Sequence, residues 1–395
     1  MKKLGSLLFS FLASFGLTIL LLIFMFIVIL WGTLYQVDHG LYAAQQKFFD
    51  SKIVLADLGP LKVPLPGAYT LMVVLAINLV CGGFIRIRKS KYTAGVLIAH
   101  FGIAFMLGSC ALTFHFAERG HMILYEGDSS NEFRSFVDWT IEIAKPGAGE
   151  TVFVIDEDAF SDLKNGKSRV FHSDVLPFDL KLSDYSINAV ASRVRPVMPD
   201  DVRIVDGYFL ASMRPEERAE MNTPGVYAEI VNLETGETSE AILWGQHQRR
   251  DENYVGLPLT AEAGGETWLV GLTLKHWALP FKITLDEFIH EKHASSTMAK
   301  SFESYITKTE GEQKDSIRIW MNHPLRHDGY TFFQESWGPG NAAPGDPLFS
   351  QFAVVRNPGD QGPLYACIIV SVGLLLHFIQ KLLAYMRAET KRRTS

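Results

Sequence analysis

The sequence predicts an integral membrane protein with four transmembrane helices and a large, mainly-β extracytoplasmic domain. That domain is expected to be sandwich-like and to be inserted between helices three and four. Three observations predict this architecture. Of the 395 residues, 48% are hydrophobic, yet the apolar residues cluster in four long segments. Basic residues gather at alternate ends of those segments, and the stretch between the third and fourth segments is polar and rich in short β-type runs.

Each of the four apolar segments is long enough to cross a bilayer, which takes roughly 20 mostly apolar residues. They run from about Leu8 to Leu34, Ala68 to Ile85, Tyr92 to Thr113 and Pro363 to Tyr385. The first segment is expected to be a retained anchor. Its apolar core is too long for a secretory signal, and no clear small-x-small cleavage site follows it.

The basic residues orient these spans, because short cytoplasmic loops are enriched in lysine and arginine. Ten of them flank the spans, with Glu389 as the only acid among them: Lys2, Lys3, Arg86, Arg88, Lys89, Lys91, Arg387, Lys391, Arg392 and Arg393. We therefore expect a multi-pass protein of the inner (plasma) membrane. Both termini would be cytoplasmic, and the large polar domain would lie on the periplasmic or outer face.

The sequence divides into three regions on this topology. Residues 1–114 hold three spans, with an outer-face connecting segment at 35–67, and residues 362–395 hold the fourth span and a basic tail. Residues 115–361 form the extracytoplasmic domain. In the connecting segment, apolar residues alternate with polar groups: Tyr42, Phe48, Phe49, Ile53 and Leu55. This pattern predicts a helix on the membrane surface or under the outer domain, ended by Pro60, Pro64 and Pro66.

The extracytoplasmic region is expected to form antiparallel sheets. Runs rich in β-branched and aromatic residues alternate there with turn clusters at regular spacing. The predicted strands begin at Trp139, Thr151, Phe178, Val226, Thr267, Phe281, Ser301, Ser316, Tyr330 and Phe352. A short helix is expected at 214–221. The segment 322–329 contains a proline and an Asp-Gly pair, which predict a hairpin-like connection.

Charge and cysteine usage narrow the functions of the outer domain. Only fourteen of 37 Lys and Arg and four of 43 Asp and Glu lie outside residues 115–361, so this region has a formal net charge of −16. Such a surface excludes nucleic acid as an expected partner and suits a basic one, although plain solvation explains it equally simply. The cysteines, Cys81, Cys110 and Cys367, all lie in or beside spans, so thiol exchange on the domain is not expected.

No catalytic constellation is predicted in the outer domain, so a stand-alone enzyme is not expected. His290 and His293 are three residues apart and do not form the H-E-x-x-H pattern of zinc proteases. His323 and His327 flank Pro324 in the predicted turn, where a solvated or backbone-bonded role is expected for both.

His100 is the most informative residue of the spans, because a titratable side chain in hydrocarbon is costly and usually faces a partner or cofactor. An imidazole can also ligate iron there. Ala104 and Gly108 follow on its face, and Gly95 and Ala99 form a small-x-x-x-small pair on a neighbouring face. Spacing leaves two interpretations open: a ligand, or a neutral imidazole hydrogen-bonded to a neighbouring helix.

His377 is the second histidine within a span. Counted from the cytoplasmic ends of their spans, His100 and His377 are both roughly 10–12 Å deep, so they could share one level. The sequence does not determine whether they face each other. A helix-packing or interfacial role near Lys381 is the alternative for His377.

Several stretches resemble the ResB (CcsB) family of system II cytochrome c biogenesis. They are LASFGLTILLLIFMFIVILWGTLYQ, IAHFGIAFMLG, RGHMILYEGDSSNEF, MNHPLRHDGYTFFQESW and VVRNPGDQGPLYACIIVSVGLLL. The fourth is the most specific and resembles the family motif N-x-P-L-x-x-x-G-Y-x-F-Y-Q. The matching residues are Asn322, Pro324, Leu325, Gly329, Tyr330, Phe332 and Gln334, with Phe333 where tyrosine is common.

The resemblance implies a haem-transfer and assembly subunit. Together with a polytopic ResC (CcsA)-type partner, it would carry haem outward, keep it reduced and present it to apocytochrome c for thioether attachment. His100 matches the family's axial ligand to a transient haem b, and so would bind metal through the haem iron. The partner would supply the opposite ligand. His377 is a second, weaker candidate, and thiol-reducing factors are indirect partners.

Two other classes of function remain for comparison. One is a permease subunit. Three features of the sequence argue against it: there are only four spans, no inverted repeat is visible, and the spans contain no acidic residue. The other is a membrane-anchored β-domain accessory that binds no haem, in which His100 is a packing residue.

Overall fold

The structure is a computed structural model that describes residues 2–58, 61–146, 151–194, 202–245, 259–292, 299–340, 342–343 and 345–394. The chain divides into two compact units. The helical unit comprises Met1–Glu118, Asp328–Tyr330 and Val355–Ser395. The β unit comprises Arg119–His327 and Thr331–Val354.

The helical unit contains the four apolar helices that the sequence predicts. Those long and apolar enough to cross a membrane are Phe15–His39, Ala68–Arg86, Lys91–Phe116 and Gly362–Arg393. The α-helices are α1 (Lys2–Leu12), α2 (Phe15–His39), α3 (Leu41–Ala44), α4 (Ala68–Asn78), α5 (Ala94–Phe116) and α6 (Gly362–Thr394). Two π-helical segments, Gln45–Phe49 and Leu79–Arg86, continue α3 and α4, and a 3₁₀ turn at Lys91–Thr93 precedes α5.

The first predicted span is not one continuous helix, and its expected start at Leu8 is wrong. Helix α1 ends at Leu12 and α2 begins at Phe15. Between them Ser14 has extended backbone, and its Oγ accepts a hydrogen bond from the N–H of Leu17 at 3.1 Å. A serine in this position is an efficient N-cap, which explains why the new helix begins here.

Polar side chains from the second span stabilise this break. Asn78 is buried, and its Nδ2 donates to the carbonyl oxygens of Leu12 at 2.6 Å and Ser14 at 3.2 Å. The Nη1 of Arg86 donates to the carbonyl of Ala13 at 3.2 Å. Three consecutive carbonyls near the interruption therefore have side-chain donors, as buried backbone in an apolar environment requires.

The connecting segment is only partly helical. The expected helix is present through Phe49, but Ile53 and Leu55 lie in a hairpin of β1 (Ile53–Leu58) and β2 (Leu61–Pro66). The prolines do more than end a helix, because Pro64 and Pro66 lie within β2. A two-stranded hairpin tolerates proline because the outer edge of each strand pairs with no other strand, so a backbone N–H is not needed there. Pro60 lies outside the described residues.

Helices α5 and α6 approach each other at backbone distance through small residues. A Cβ added to Gly95 would lie 2.6 Å from the carbonyl oxygen of Gly373, and one added to Gly373 would lie 2.5 Å from the nitrogen of Ala99. Gly102 continues the same buried face of α5. The small-x-x-x-small spacing of Gly95 and Ala99 thus marks the contact with the fourth span.

The β unit is built from strands, as the sequence predicts, and most of them are short. The strands are β3 (Glu118–Tyr125), β4 (Ser129–Ala144), β5 (Thr151–Asp156), β6 (Ser168–Phe171), β7 (Phe178–Ser186), β8 (Ala189–Arg193), β9 (Tyr208–Ser212), β10 (Gly225–Asn232), β11 (Thr238–Trp244), β12 (Leu259–Ala263), β13 (Glu266–Lys292), β14 (Ala299–Glu310), β15 (Gln313–Trp320), β16 (Leu325–His327), β17 (Tyr330–Gly338) and β18 (Phe349–Arg356). All ten predicted strand starts fall in strands. The expected short helix is reduced to a 3₁₀ turn at Ala219–Met221.

The strands form one large and one small sheet. The large sheet has the order β15-β14-β13-β4-β3-β18-β17-β16, with β12 also paired to β13 and β5 to β4. The small sheet has the order β11-β10-β7-β6, and β8 and β9 form a hairpin. The two predicted strands starting at Thr267 and Phe281 are parts of the single long strand β13. Its pairing with β4 shifts register between Ala278 and Ile283.

Both sheets contribute to one buried cluster. Phe178, Leu180 and Leu182 of the small sheet lie in it together with Ile141 and Val270 of the large sheet. All five side chains have 1% exposure or less, so the sheets bury their facing sides against each other.

A histidine–carboxylate pair on the large sheet contributes a pH-dependent stabilisation. Nδ1 of His276 lies 3.0 Å from Oε1 of Glu142, and Glu132 is 4.0 Å from its Nε2. The hydrogen bond to Glu142, aided by the charge of both carboxylates, raises the pKa of His276 against the opposing effect of its burial. The stabilisation is complete below the unfolded pKa of about 6.5 and is lost as pH rises through the higher folded value.

The first prediction concerns the break between α1 and α2. Asn78→Leu removes the donor to two carbonyls, and we expect it to destabilise the detergent-solubilised protein by about 1–3 kcal/mol. Denaturant unfolding followed by tryptophan fluorescence measures this. Thr33→Val is the control, because the exposed Thr33 hydroxyl bonds only within its own helix, to the carbonyl of Ile29. Equal stability of Asn78→Leu and the parent protein would contradict the role given to Asn78.

The second prediction concerns the pair of His276 and Glu142. His276→Gln should flatten the fall in unfolding free energy that the parent protein shows as pH rises above about 6.5. Glu142→Gln should flatten it by a similar amount, because either change removes the same interaction. Unfolding midpoints between pH 6 and 9 measure the slope, with about 6.5 as the unfolded reference. An unchanged slope in both variants would show that the pair does not carry this pH dependence.

Candidate functional site

The candidate site is built around His100 on α5. Its ring is half-buried, and its Nδ1 lies 2.9 Å from the carbonyl oxygen of Val96, one turn earlier in the same helix. A carbonyl oxygen only accepts, so Nδ1 must carry the hydrogen. In a neutral imidazole the lone pair then belongs to Nε2. No described residue forms a hydrogen bond with that nitrogen.

The ring is held against the second span. A Cβ added to Gly83 would lie 3.1 Å from Cδ2 and 3.3 Å from Cγ of His100. Gly83 belongs to the π-helical segment Leu79–Arg86, and its missing side chain leaves the space that the imidazole occupies. Segments of π-helix inside α-helices are frequent at functional sites. The position of the ring therefore depends on a glycine of a neighbouring helix.

The face of α5 beyond His100 is open. A Cβ added to Gly108, two turns further on, would meet nothing within 4 Å. Phe101 and Ile103, one and three residues after His100, are apolar side chains with exposed fractions of 53% and 43%. This combination of a free imidazole nitrogen and an uncrowded apolar face suits a flat, largely apolar ligand.

The donor set fits haem better than a bare metal ion. Among the described residues, no group of three or more His, Cys, Asp or Glu side chains could hold an ion. Haem supplies its own equatorial nitrogens, so one imidazole on each side suffices. Metal-ligating histidines also commonly donate their second ring N–H to a carbonyl, as His100 does to Val96.

His377 lies on α6, which packs against α5, but its backbone is at a different level along the helix axes from that of His100. Its backbone lies beside Gly95, since a Cβ added to that glycine would be 2.6 Å from the nitrogen of His377. His100 follows Gly95 by five residues, about 7.5 Å along the axis of α5. The backbones of His100 and His377 therefore do not share the common level that counting from the ends of the spans allowed.

His377 nevertheless retains a ring nitrogen without a partner. Its Nδ1 and the Oε1 of Gln380 are buried and accept or donate no hydrogen bond within the described part of the chain. The Nε2 of Gln380 donates to the carbonyl of Lys91 at 3.0 Å. The role of His377 stays a prediction.

The remaining histidines have other surroundings. His115, at the end of α5, packs edge-on against Tyr69 and Phe114. The ring of His121 lies 5.1 Å from that of Phe136 in the β unit.

The two histidines of the predicted turn differ from each other. His323 is exposed and donates from Nδ1 to the carbonyl of Met321 at 3.0 Å, as expected. For His327 the expectation is wrong, because its Nε2 lies 2.9 Å from Oε2 of Glu310 in an ion-pair geometry. His290 packs on Trp337, with ring centroids 4.2 Å apart, and His293 lies outside the described residues.

The motif that carries the family resemblance builds the sheet rather than a reactive site. Asn322 and Gly329 have φ of 64° and 77°, so they form the turns on either side of β16. Gln334 accepts from Ser304 Oγ at 2.6 Å and donates to Ser350 Oγ at 2.9 Å. This hydrogen-bond network joins β14, β17 and β18 inside the β unit.

Two residues of the helical unit were missed by sequence reasoning. Asn78 is the polar residue that stabilises the α1–α2 break, and a lone amide within an apolar span was the available signal. Gly83 sets the position of the His100 ring, and the Gly82–Gly83 pair was its only signal. Neither residue belongs to a recognisable motif.

Comparison with known proteins bears on the β unit. No curated protein matches the chain. Residues 262–345 match the model of the ResB-like family. These residues run from the end of β12 to the loop after β17 and include the motif from Asn322 to Gln334, whereas His100 and His377 lie outside them. The match confirms the resemblance predicted from the sequence: over residues 262–345 the chain is similar to the ResB-like family.

Proposed function

We propose that this chain is a multi-pass subunit of a system II cytochrome c biogenesis complex in which His100 ligates haem as it is handed across the membrane. The family match supports a cytochrome c biogenesis-type function. The observation that carries the haem role is the hydrogen bond from His100 Nδ1 to the Val96 carbonyl. It directs the lone pair of Nε2 away from the helix backbone and makes that nitrogen a ready axial ligand.

Haem b is the cargo in this proposal, held transiently and shared with a ResC (CcsA)-type partner. His100 supplies one imidazole, and the partner supplies the opposite one. With both axial positions filled, the iron has no open site for oxygen chemistry. His377 is the second, weaker candidate ligand because its Nδ1 is buried without a partner. Apocytochrome c receives the haem, and thiol-reducing factors act indirectly by keeping its cysteines reduced.

The arrangement of residues supports a role in holding, not transforming, the cargo. The Val96 carbonyl fixes the tautomer of His100 and makes Nε2 a better donor. Gly83 gives the ring its place against the second span, and Gly95 and Gly373 hold α5 on α6. These residues position a ligand, and we assign no catalytic residue.

The proposed placement has both termini in the cytoplasm and residues 115–361 on the outer face, inserted between the third and fourth spans. The four apolar helices and the basic residues at their ends support it. The formal charge of −16 on that region suits docking of a basic apocytochrome. If exposed acidic residues were neutralised and cytochrome c maturation then no longer depended on salt concentration, the result would support docking of a basic partner over simple solvation of the surface.

The third prediction tests the ligand. When the His100→Ala variant is co-expressed and purified with the partner, the complex should contain about one tenth or less of the haem found in the parent complex. Absorption spectra of the reduced complex measure the loss. The matched control is His115→Ala, a histidine of the same helix whose ring packs on aromatic side chains. Undiminished haem and unchanged cytochrome c maturation in His100→Ala would rule out the ligand role.

The fourth prediction tests the position of the ring. Gly83→Ala places a methyl group against the imidazole, so we expect a several-fold weaker retention of haem with the protein still folded. Gly16→Ala is the control, because its added Cβ meets open space and Gly16 lies on α2, away from the α5 face that would receive haem. Spectra and thermal stability of both variants separate the effects. If the two alanine variants retained haem equally well, Gly83 would not position His100.

A further inference from the structure

Helix α1 presents an unbroken apolar face. Leu4, Leu7, Leu8 and Phe11 follow the i, i+3, i+4, i+7 spacing that places side chains on one side of a helix. Their exposures are 74%, 69%, 58% and 58%. Exposed apolar faces of this size mark interaction surfaces in proteins. Something apolar is therefore expected to cover this side of α1.

A polar stripe lies beside the apolar face of α1, about 120° around the helix. Lys3, Ser6 and Ser10 are exposed and follow the i, i+3, i+7 spacing of a second face. A helix that carries an exposed apolar face and a separate exposed polar stripe with a lysine suits a boundary between hydrocarbon and water.

The length of α1 excludes a crossing of the membrane. Its 11 residues span about 16 Å, roughly half of the ~30 Å hydrocarbon layer. Helix α2, with 25 residues, spans about 37 Å and crosses the layer without help. The two helices are also separated by the break at Ala13 and Ser14, so α1 is not a continuation of the span.

Side chains of the second span bond the backbone at the break. Asn78 and Arg86 donate to the carbonyls of Leu12, Ala13 and Ser14, and Ala13 itself is buried. These donors hold α1 at the end of α2 that lies beside the basic loop following the second span. The same end carries Lys3, Arg86, Arg88, Lys89 and Lys91. Positive charge is thus concentrated where α1 leaves the bundle.

We propose that α1 is an interfacial helix that binds the anionic surface of the cytoplasmic leaflet. Its Leu and Phe side chains enter the acyl region, and Lys3 with the neighbouring basic residues contacts acidic headgroups. The inference rests on the membrane placement given under the proposed function, but not on haem binding. It makes the N-terminal helix a lipid-contacting element instead of part of the first span.

The test uses the full chain with Cys81, Cys110 and Cys367 replaced by serine and one nitroxide label on a new cysteine. The labels are placed by Leu8→Cys on the apolar face and Ser6→Cys on the polar face, two residues apart. The protein is reconstituted in phosphatidylcholine alone and in phosphatidylcholine with phosphatidylglycerol. Collision rates with oxygen, which partitions into lipid, and with a water-soluble nickel chelate report the depth of each label.

We expect the Leu8 label to collide mainly with oxygen and the Ser6 label mainly with the nickel chelate. Phosphatidylglycerol should strengthen this difference, and Lys3→Glu should cancel that gain. Both labels in lipid would make α1 part of a span, and shielding of the Leu8 label from both reagents would mean that protein covers it. No effect of phosphatidylglycerol would remove the anionic preference. Each of these results overturns the proposal.

Haem spectra of the same labelled variants, each purified with the partner, keep the two proposals separate. Loss of the depth pattern with haem retained would defeat only the interfacial helix. The expected depth pattern together with haem retained in a His100→Ala version would defeat only the ligand role.

Discussion

Polar groups within the apolar helices need partners, and this constraint organises the helical unit. Asn78 satisfies carbonyls at the α1–α2 break, Thr113 donates to Asn357 near the C-terminal end of α5, and Gln380 donates to the carbonyl of Lys91. Each bond ties two segments that are far apart in sequence, so satisfying the backbone also fixes the bundle. Within the described residues, Nδ1 of His377 and Oε1 of Gln380 are buried without a hydrogen bond, and Nε2 of His100 has no hydrogen-bond partner. An imidazole nitrogen without a partner in apolar surroundings is costly, and this is the reason we propose a ligand for it.

Glycine allows close approach of backbones and rings at two contacts between the helices. Gly95 and Gly373 let α5 and α6 meet, while Gly83 admits the His100 ring against the π-helical part of the second span. The His100 ring is therefore set from two directions: its own helix fixes the tautomer, and a neighbouring helix fixes the space.

The parts predictable from sequence were those with a strong local period. Apolar runs gave the four long helices, and alternating β-branched runs gave the strand starts. The α1–α2 break was not predictable, because Asn78, which stabilises it, lies more than sixty residues away. Likewise, His327 was expected to be solvated since its carboxylate partner Glu310 comes from another strand. The sequence identified His100 as a candidate residue but did not predict how its ring is placed. The hydrogen bond to Val96 and the contact with Gly83 depend on how the helices fold and pack.

The central claim is that the hydrogen bond to the Val96 carbonyl holds a hydrogen on Nδ1 of His100 and leaves Nε2 to bind a ligand. Solid-state NMR of the haem-free protein in lipid, with ¹⁵N-labelled histidine, tests this most directly. Comparison with His100→Gln assigns the resonances. The account predicts a protonated Nδ1 and an unprotonated Nε2 that shifts when haem is added. A proton on Nε2, or an Nε2 signal unchanged by haem, would contradict the account.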